Sequence, residues 1–345
     1  TGGGSPNISF EPTEVFGANE IMEVTLTTGI ESTSAVPMSA AYVFRFRAQA
    51  GSGPAVFDAV PTSDLTGANA SGLDVAAGDL DGDGDIDIVV GGYGPGEECM
   101  VFLNDGFGNF TSAGTFGTPG DFVQRIVLAD FNDDGNLDAA VLSEGPGTAS
   151  FVWLGNGDGT FGSSVQFLPS GTTTALSLAA GDMNGDGKVD LVVGGLDGVF
   201  VCINTWPSFA APGQVNSDDV RGVALGDIDN DGDLDVLCGV YATTSLIVLN
   251  DGSGGNDGTV SVGPAGLSID EVAFADINGD NALDVILASD AAQSWLFLND
   301  GFGVFPASAP GAGVVALGSP TDRVYGLGIG DLNGDSKLDI VLGVD

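Results

Sequence analysis

The sequence contains no histidine. That removes the side chain most used as a general base near neutral pH and the commonest transition-metal ligand. Cationic residues are scarce: 7 Lys and Arg stand against 48 Asp and Glu, a net charge of −41. A chain so acidic repels phosphate backbones, so nucleic acid is excluded as a partner. There are only 3 cysteines, Cys99, Cys202 and Cys238. They show no C-x-x-C spacing, which argues against zinc. All lie in strand-like apolar segments and read as small buried hydrophobes, with a Cys202–Cys238 disulfide left open. No apolar run reaches the roughly 18 residues of a membrane span. No basic segment leads into a short apolar one either, so any secretion signal is expected to lie outside this sequence.

What the chain does have is glycine, 57 of 345 residues, and 43% hydrophobic residues. That is too apolar for disorder and suits many short strands joined by tight turns. One pattern occurs six times: Asp at positions 1, 5 and 9, Asp or Asn at position 3, and Gly, Asn or Ser at position 6. The copies begin at Asp79, Asp130, Asp182, Asp227, Asp276 and Asp331, about 50 residues apart, the spacing of a repeat architecture. Each is preceded by a strand of small and apolar residues, such as ALSLAAGD, and followed by a second strand, such as DLVVGGL. Five repeats continue into a third strand, such as SLIVLND, that ends in a hairpin turn such as Asn104-Asp105-Gly106, and then a weaker fourth strand.

Four antiparallel strands per repeat predict an all-β fold, a β-propeller of four-stranded blades. A β-helix needs a shorter period, and a β-sandwich would not repeat its sequence. Small residues in the first strand fit crowding around an axis. The last repeat carries only its first two strands, and AYVFRFR (41–47) with residues 51–60 supplies candidates for the missing two. Pairing them with the C-terminal strands would close the ring and remove two exposed edges. Six blades closed by N-terminal strands is the favoured reading. Seven, with residues 8–60 as a blade without metal, is the alternative.

The loops carry the chemistry. Side chains at positions 1, 3, 5 and 9 and the backbone carbonyl at position 7 converge on one point. The six candidate sets are Asp79, Asp81, Asp83, Asp85 and Asp87; Asp130, Asn132, Asp134, Asn136 and Asp138; Asp182, Asn184, Asp186, Lys188 and Asp190; Asp227, Asp229, Asp231, Asp233 and Asp235; Asp276, Asn278, Asp280, Ala282 and Asp284; and Asp331, Asn333, Asp335, Lys337 and Asp339. An all-oxygen cage rich in carboxylates suits Ca²⁺ better than Mg²⁺, which keeps its waters. About six calcium sites are expected. Position 6 needs a left-handed backbone; it is Gly in four loops, Asn281 in the fifth and Ser336 in the sixth, so the sixth is expected to be weakest. An EF-hand loop begins alike but requires Glu at position 12. Here that position holds Val90, Val141, Val193, Cys238, Leu287 and Leu342.

These loops resemble the FG-GAP/VCBS repeats of integrin α-subunit propellers and bacterial surface proteins, over roughly residues 51–345. The resemblance implies a bladed propeller, calcium in the hairpin between the first two strands of each blade, and an extracellular or cell-surface setting. Residues 1–50 read as three further strands, 8–16, 20–30 and 41–50, and 23–48 resemble the second half of a bacterial Ig-like domain. The chain is thus expected to divide at residue 50 into an N-terminal β segment and the propeller. With no histidine and no acid–base constellation outside the loops, it does not read as an enzyme. A secreted, calcium-stiffened structural or adhesive module of a surface, matrix or filament is the expected function. It could self-assemble into a homo-polymer by strand addition or bind other surface proteins. A glycan-binding propeller is the alternative, with Trp206 as an exposed-aromatic candidate, and a polysaccharide-active enzyme the third reading.

Overall fold

The computed structural model describes residues 74–92, 96–107, 109–120, 122–144, 148–299, 313–332 and 337–344, with residues 301, 303 and 305, and the backbone of 21–26 and 42–47. The chain divides into two units, Thr1–Asp64 and Leu65–Asp345. No helix forms among the described residues.

In the first unit, β1 (Ile21–Leu26) pairs antiparallel with β2 (Tyr42–Arg47), Ile21 opposite Arg47. Two of the three expected N-terminal strands are therefore formed. The third, and residues 51–60, lie outside the described residues.

In the second unit the repeat becomes a series of sheets, each paired in chain order. They are β3 (Val75–Gly78), β4 (Asp87–Val90), β5 (Cys99–Asn104) and β6 (Phe110–Phe116). Next come β7 (Phe122–Ala129), β8 (Asp138–Glu144), β9 (Ser150–Gly155) and β10 (Phe161–Leu168). The third sheet is β11 (Ala175–Gly181), β12 (Asp190–Gly195), β13 (Gly198–Cys202) and β14 (Gly213–Asn216). The fourth is β15 (Val220–Gly226), β16 (Asp235–Val240), β17 (Ser245–Asn250) and β18 (Asn256–Val262). The fifth is β19 (Ile269–Ala275), β20 (Asp284–Ser289), β21 (Ser294–Phe297) and β22 (Val314–Leu317). The series ends in a two-stranded sheet, β23 (Val324–Gly330) and β24 (Asp339–Val344).

Strand composition sets strand position. The second strands β12, β16 and β20 are buried along their whole length. Both faces are covered, so the run is continuously apolar rather than alternating. The fourth strands alternate toward solvent and are the most exposed. Four hydrophobic clusters lie between successive sheets, from the first pair to the fourth–fifth pair. The core is thus distributed between sheets, as in repeat proteins where each unit is stabilised by its neighbours. Phe116 stacks on Phe161 across the first such interface, with ring centroids 4.0 Å apart.

The glycine that ends the first strand has a specific partner. A Cβ on Gly78 would lie 2.6 Å from Leu137 Cδ1; on Gly181, 2.7 Å from Leu234 Cδ1; on Gly226, 2.7 Å from Leu283 Cδ1. Each leucine is position 8 of the following acidic loop. The small residue therefore receives a leucine from the next sheet, a more local reason than crowding at an axis. At the ends of the series the two halves of this contact are separate. Gly330 has no atom within 4 Å of a would-be Cβ, and Ile86, position 8 of the first loop, is 56% exposed. Leu332 is 58% exposed where its counterparts Phe131 and Ile228 are each 1% exposed.

All three cysteines are buried free thiols, so no Cys202–Cys238 disulfide forms. Burial pushes the Cys202 thiol up to about 12 and raises Cys238 as well, which keeps both unreactive.

Candidate metal centre

Each acidic loop joins the first and second strands of a sheet, and the five fully described ones are folded around their own carboxylates. The position 1 aspartate accepts from the backbone N–H groups of positions 5 and 6. In the second loop Asp134 N donates to Asp130 Oδ1 (3.1 Å) and Gly135 N to Asp130 Oδ2 (2.8 Å). The pattern recurs at Asp182, Asp227 and Asp276. Asp79 instead takes the N–H groups of Gly82 and Gly84. The position 5 carboxylate accepts from the N–H of position 7: Asp85 to Asp83, Asn136 to Asp134, Lys188 to Asp186, Asp233 to Asp231 and Ala282 to Asp280. At position 3, Asp81, Asn132, Asn184 and Asn278 accept from the N–H of position 5.

These turns hold like charges close together. Carboxylate oxygens of Asp79, Asp81 and Asp87 all lie within 4.8 Å of one another, as do those of Asp227, Asp229 and Asp231. Four loops have Asn at position 3, which replaces one of these charges by an amide oxygen; in the three whose Asn is described its NH₂ reaches position 5, as Asn132 Nδ2 does to Asp134 Oδ2 at 2.9 Å. The Asp134 carboxyl is held low by the Asn136 N–H and the Asn132 amide.

Position 9 is different. Asp87, Asp138, Asp190, Asp235 and Asp284 are buried, and both oxygens of each are held by backbone donors. One oxygen accepts from the N–H of position 2: Leu80, Phe131, Met183, Ile228 and Ile277, at 2.8 to 3.0 Å. The other accepts from the end of the third strand: Asn104, Gly155, Asn204, Asn250 and Asn299. Each of these aspartates therefore clamps its loop to two strands as well as facing the cage. Burial pushes Asp138 and Asp235 up to about 6 and raises Asp190 and Asp284, against the backbone donors that pull each down.

At position 6, Gly84, Gly135, Gly187 and Gly232 have φ of 92°, 89°, 86° and 101°, and Asn281 has 69°. The left-handed turn expected there is present in five loops. In the sixth loop, Leu332 N donates to Asp339 Oδ2 at 3.0 Å, the position 2 half of the same clamp. Asn333, Asp335 and Ser336 lie outside the described residues, and so does the expectation that this loop is weakest.

One set of residues was not singled out by sequence. The asparagine opening the third-strand turn reads as hairpin chemistry, yet its side chain joins neighbouring repeats. Asn204 Nδ2 donates to Phe131 O (2.8 Å) and Val189 O (3.1 Å). Asn250 Nδ2 donates to Met183 O (2.8 Å) and Leu234 O (3.1 Å). In each case the first acceptor is position 2 of the preceding acidic loop. The signal was the recurrence of Asn at one repeat position. Trp206, the aromatic candidate, is half-buried, and its backbone N–H donates to Asn204 Oδ1 at 3.0 Å.

The model of the FG-GAP-like repeat family matches residues 79–141, 130–193, 227–287 and 276–342. No curated protein matches the chain. Among solved structures, the Photorhabdus luminescens Tc holotoxin pore is 21% identical over 78% of this chain and 13% of its own, with a TM-score of 0.44. The V. cholerae biofilm matrix protein Bap1 is 17% identical over 67% of this chain and 38% of its own, with a TM-score of 0.44. BBS1N, solved in complex with ARL6DN, is 13% identical over 78% of this chain and 87% of its own, with a TM-score of 0.48. The chain thus spans well under half the length of the first two.

Proposed function

The chain belongs to the FG-GAP-like repeat family, and from that premise we propose that it is a non-catalytic, extracellular β-propeller stiffened by calcium, serving a structural or adhesive role. The observation that carries the reading is the common scaffold of the acidic loops. In the first loop positions 1, 3 and 5 are each fixed by backbone N–H groups, and carboxylates stand within 4.8 Å of one another at positions 1, 3 and 9 there and at positions 1, 3 and 5 of the fourth loop. Such repulsion is costly unless a cation relieves it. The donors are all oxygen, three to five acids per loop, with a carbonyl at position 7. That set suits Ca²⁺, which takes six to eight oxygens. The ion would offset two of the loop's negative charges and tie its turn to the position 9 clamp; it would take no part in any reaction. Isothermal titration of calcium-stripped protein tests this, with about six sites expected. Heat no different from that of a magnesium titration at the same ionic strength would remove the calcium reading.

The proposal extends to six blades closed in a ring with help from the N-terminal strands. Five sheets have four strands, whereas β23–β24 and β1–β2 have two each. Gly330 and Ile86 are the separated halves of a contact that the interior repeats make. Ring closure brings them together. A Gly330→Cys, Ile86→Cys variant should then form a disulfide under mild oxidation. A crosslinked monomer supports closure within one chain, a ladder of oligomers supports closure between chains, and no crosslink overturns both.

A further inference from the structure

The six acidic loops share a scaffold but differ at position 3. It is Asp81 in the first loop and Asp229 in the fourth, and Asn132, Asn184, Asn278 and Asn333 in the others. The loops differ accordingly in how they hold their charge. In the first and fourth, position 3 completes a trio of carboxylates within 4.8 Å of one another, and among the described residues no other trio of acids converges as closely. Where position 3 is Asn, its NH₂ donates to the position 5 carboxylate: Asn132 to Asp134 at 2.9 Å, Asn184 to Asp186 at 3.3 Å and Asn278 to Asp280 at 2.8 Å. A donor from the loop itself thus satisfies one carboxylate oxygen. An ionised Asp81 or Asp229 has no N–H to offer, so the first and fourth loops lack this internal bond and carry one more charge.

Resting on the calcium reading above, we propose that the loops form two classes. The first and fourth bind calcium tightly and depend on it for their shape. The second, third and fifth bind about tenfold or more weakly and keep their shape without it; the sixth joins them through Asn333. Two terms act in the same direction. An additional carboxylate strengthens the attraction for a divalent ion, and calcium affinity follows the charge count of the ligands. The ion also relieves a like-charge repulsion that the Asn loops carry to a lesser degree.

The two tight loops are not neighbours. Counting back five residues from a loop's first aspartate gives Asp74 in the first repeat, Arg125 in the second and Glu271 in the fifth. Arg125 of β7 pairs with Glu271 of β19, and Asp74 accepts from Ile126 N at 2.6 Å. This charged layer joins repeats three apart, so such repeats face one another. β3 and β15, which lead into the first and fourth loops, are also three repeats apart, and both line the cavity of about 490 Å³ that the layer borders. Partial loading therefore fixes the array at two opposed repeats, and the remaining loops fill as calcium rises. The stiffness of the array is graded by calcium rather than switched.

The test is calorimetric titration of the calcium-stripped full-length chain with calcium chloride. Two steps are expected, a first of about two sites and a second of about four, with affinities about tenfold or more apart. The isosteric pair Asp81→Asn, Asp229→Asn should remove the first step, and Asn184→Asp should enlarge it to about three sites. A single step for all sites, or a tight step that survives the double variant, overturns the two classes while the calcium reading stands. Heat no different from a magnesium titration overturns both. Hydrogen exchange in excess chelator reads the shape of each loop through one bond that all five described loops share, from the N–H of position 6 to the position 1 carboxylate. Gly84 and Gly232 should lose protection and regain it at the first calcium step, while Gly135, Gly187 and Asn281 keep theirs throughout. Equal protection at all five overturns the proposal.

Discussion

Asp235 accepts from Ile228 N at 3.0 Å and from Asn250 N at 2.9 Å while almost fully buried. A residue that only held metal would matter only when metal is present. Asp235→Ala leaves two buried N–H groups without a partner, each worth about 1–3 kcal/mol. The variant is therefore expected to lose about 2–4 kcal/mol in urea unfolding in excess chelator, and at least as much in calcium-loaded protein. A loss confined to calcium-loaded protein would reduce Asp235 to a ligand alone. Asn281 offers the opposite change. Its φ of 69° stands where four other loops have glycine, and its N–H already donates to Asp276 Oδ2 at 2.8 Å. Asn281→Gly keeps that bond and removes the left-handed penalty, so a gain of about 0.5–1 kcal/mol is expected in the same measurement.

At the scale of elements, repeats are joined by side chains that the strand pattern does not advertise. Asn250 reaches from the end of β17 to Met183 O in the preceding acidic loop and to Leu234 O in its own. Asn250→Ala deprives two carbonyls of their donor and should cost about 2 kcal/mol. Hydrogen exchange should quicken in the Met183 loop, a repeat away, as well as around Leu234; protection lost only around Leu234 would deny the link. The strands themselves were legible because the sequence repeats. Alternation, small first strands and continuous apolar second strands recur with the loops as markers, so β3 to β24 follow the expected order. The loop residues were legible for the same reason. What escaped was contact between repeats. Asn250 looks like turn chemistry until Met183 is beside it, and Gly226 looks merely small until Leu283 fills the space. The charged layer of Asp74, Arg125 and Glu271 escaped because it is where the repeats differ, and reading by likeness passes over difference. AYVFRFR was expected to serve as a third strand beside the last repeat. In the structure Tyr42–Arg47 pairs with Ile21–Leu26, a pairing within the N-terminal segment that the sequence did not mark.

For the whole molecule the governing quantity is charge. Nearly half of the 48 acids sit in or beside the six loops, and six divalent ions would bring −41 to −29. Because the core is divided among the interfaces between sheets, a loop that loosens weakens both the sheet it belongs to and the one packed on it. Binding to the folded form alone stabilises by about 2.7 kcal/mol per site at a hundredfold excess over Kd. Several such sites act on one cooperative array, so excess chelator is expected to lower the melting temperature sharply. Part of that loss is plain repulsion, which salt screens over about 8 Å at physiological ionic strength. Sodium chloride should therefore restore some of the melting temperature and calcium the rest, with magnesium at equal ionic strength doing no better than sodium chloride. Scanning calorimetry in the four conditions separates the terms. A melt unmoved by chelator would mean that the loops are held by their backbone hydrogen bonds alone, and full recovery in sodium chloride would mean that charge, and no specific ion, is what the loops require.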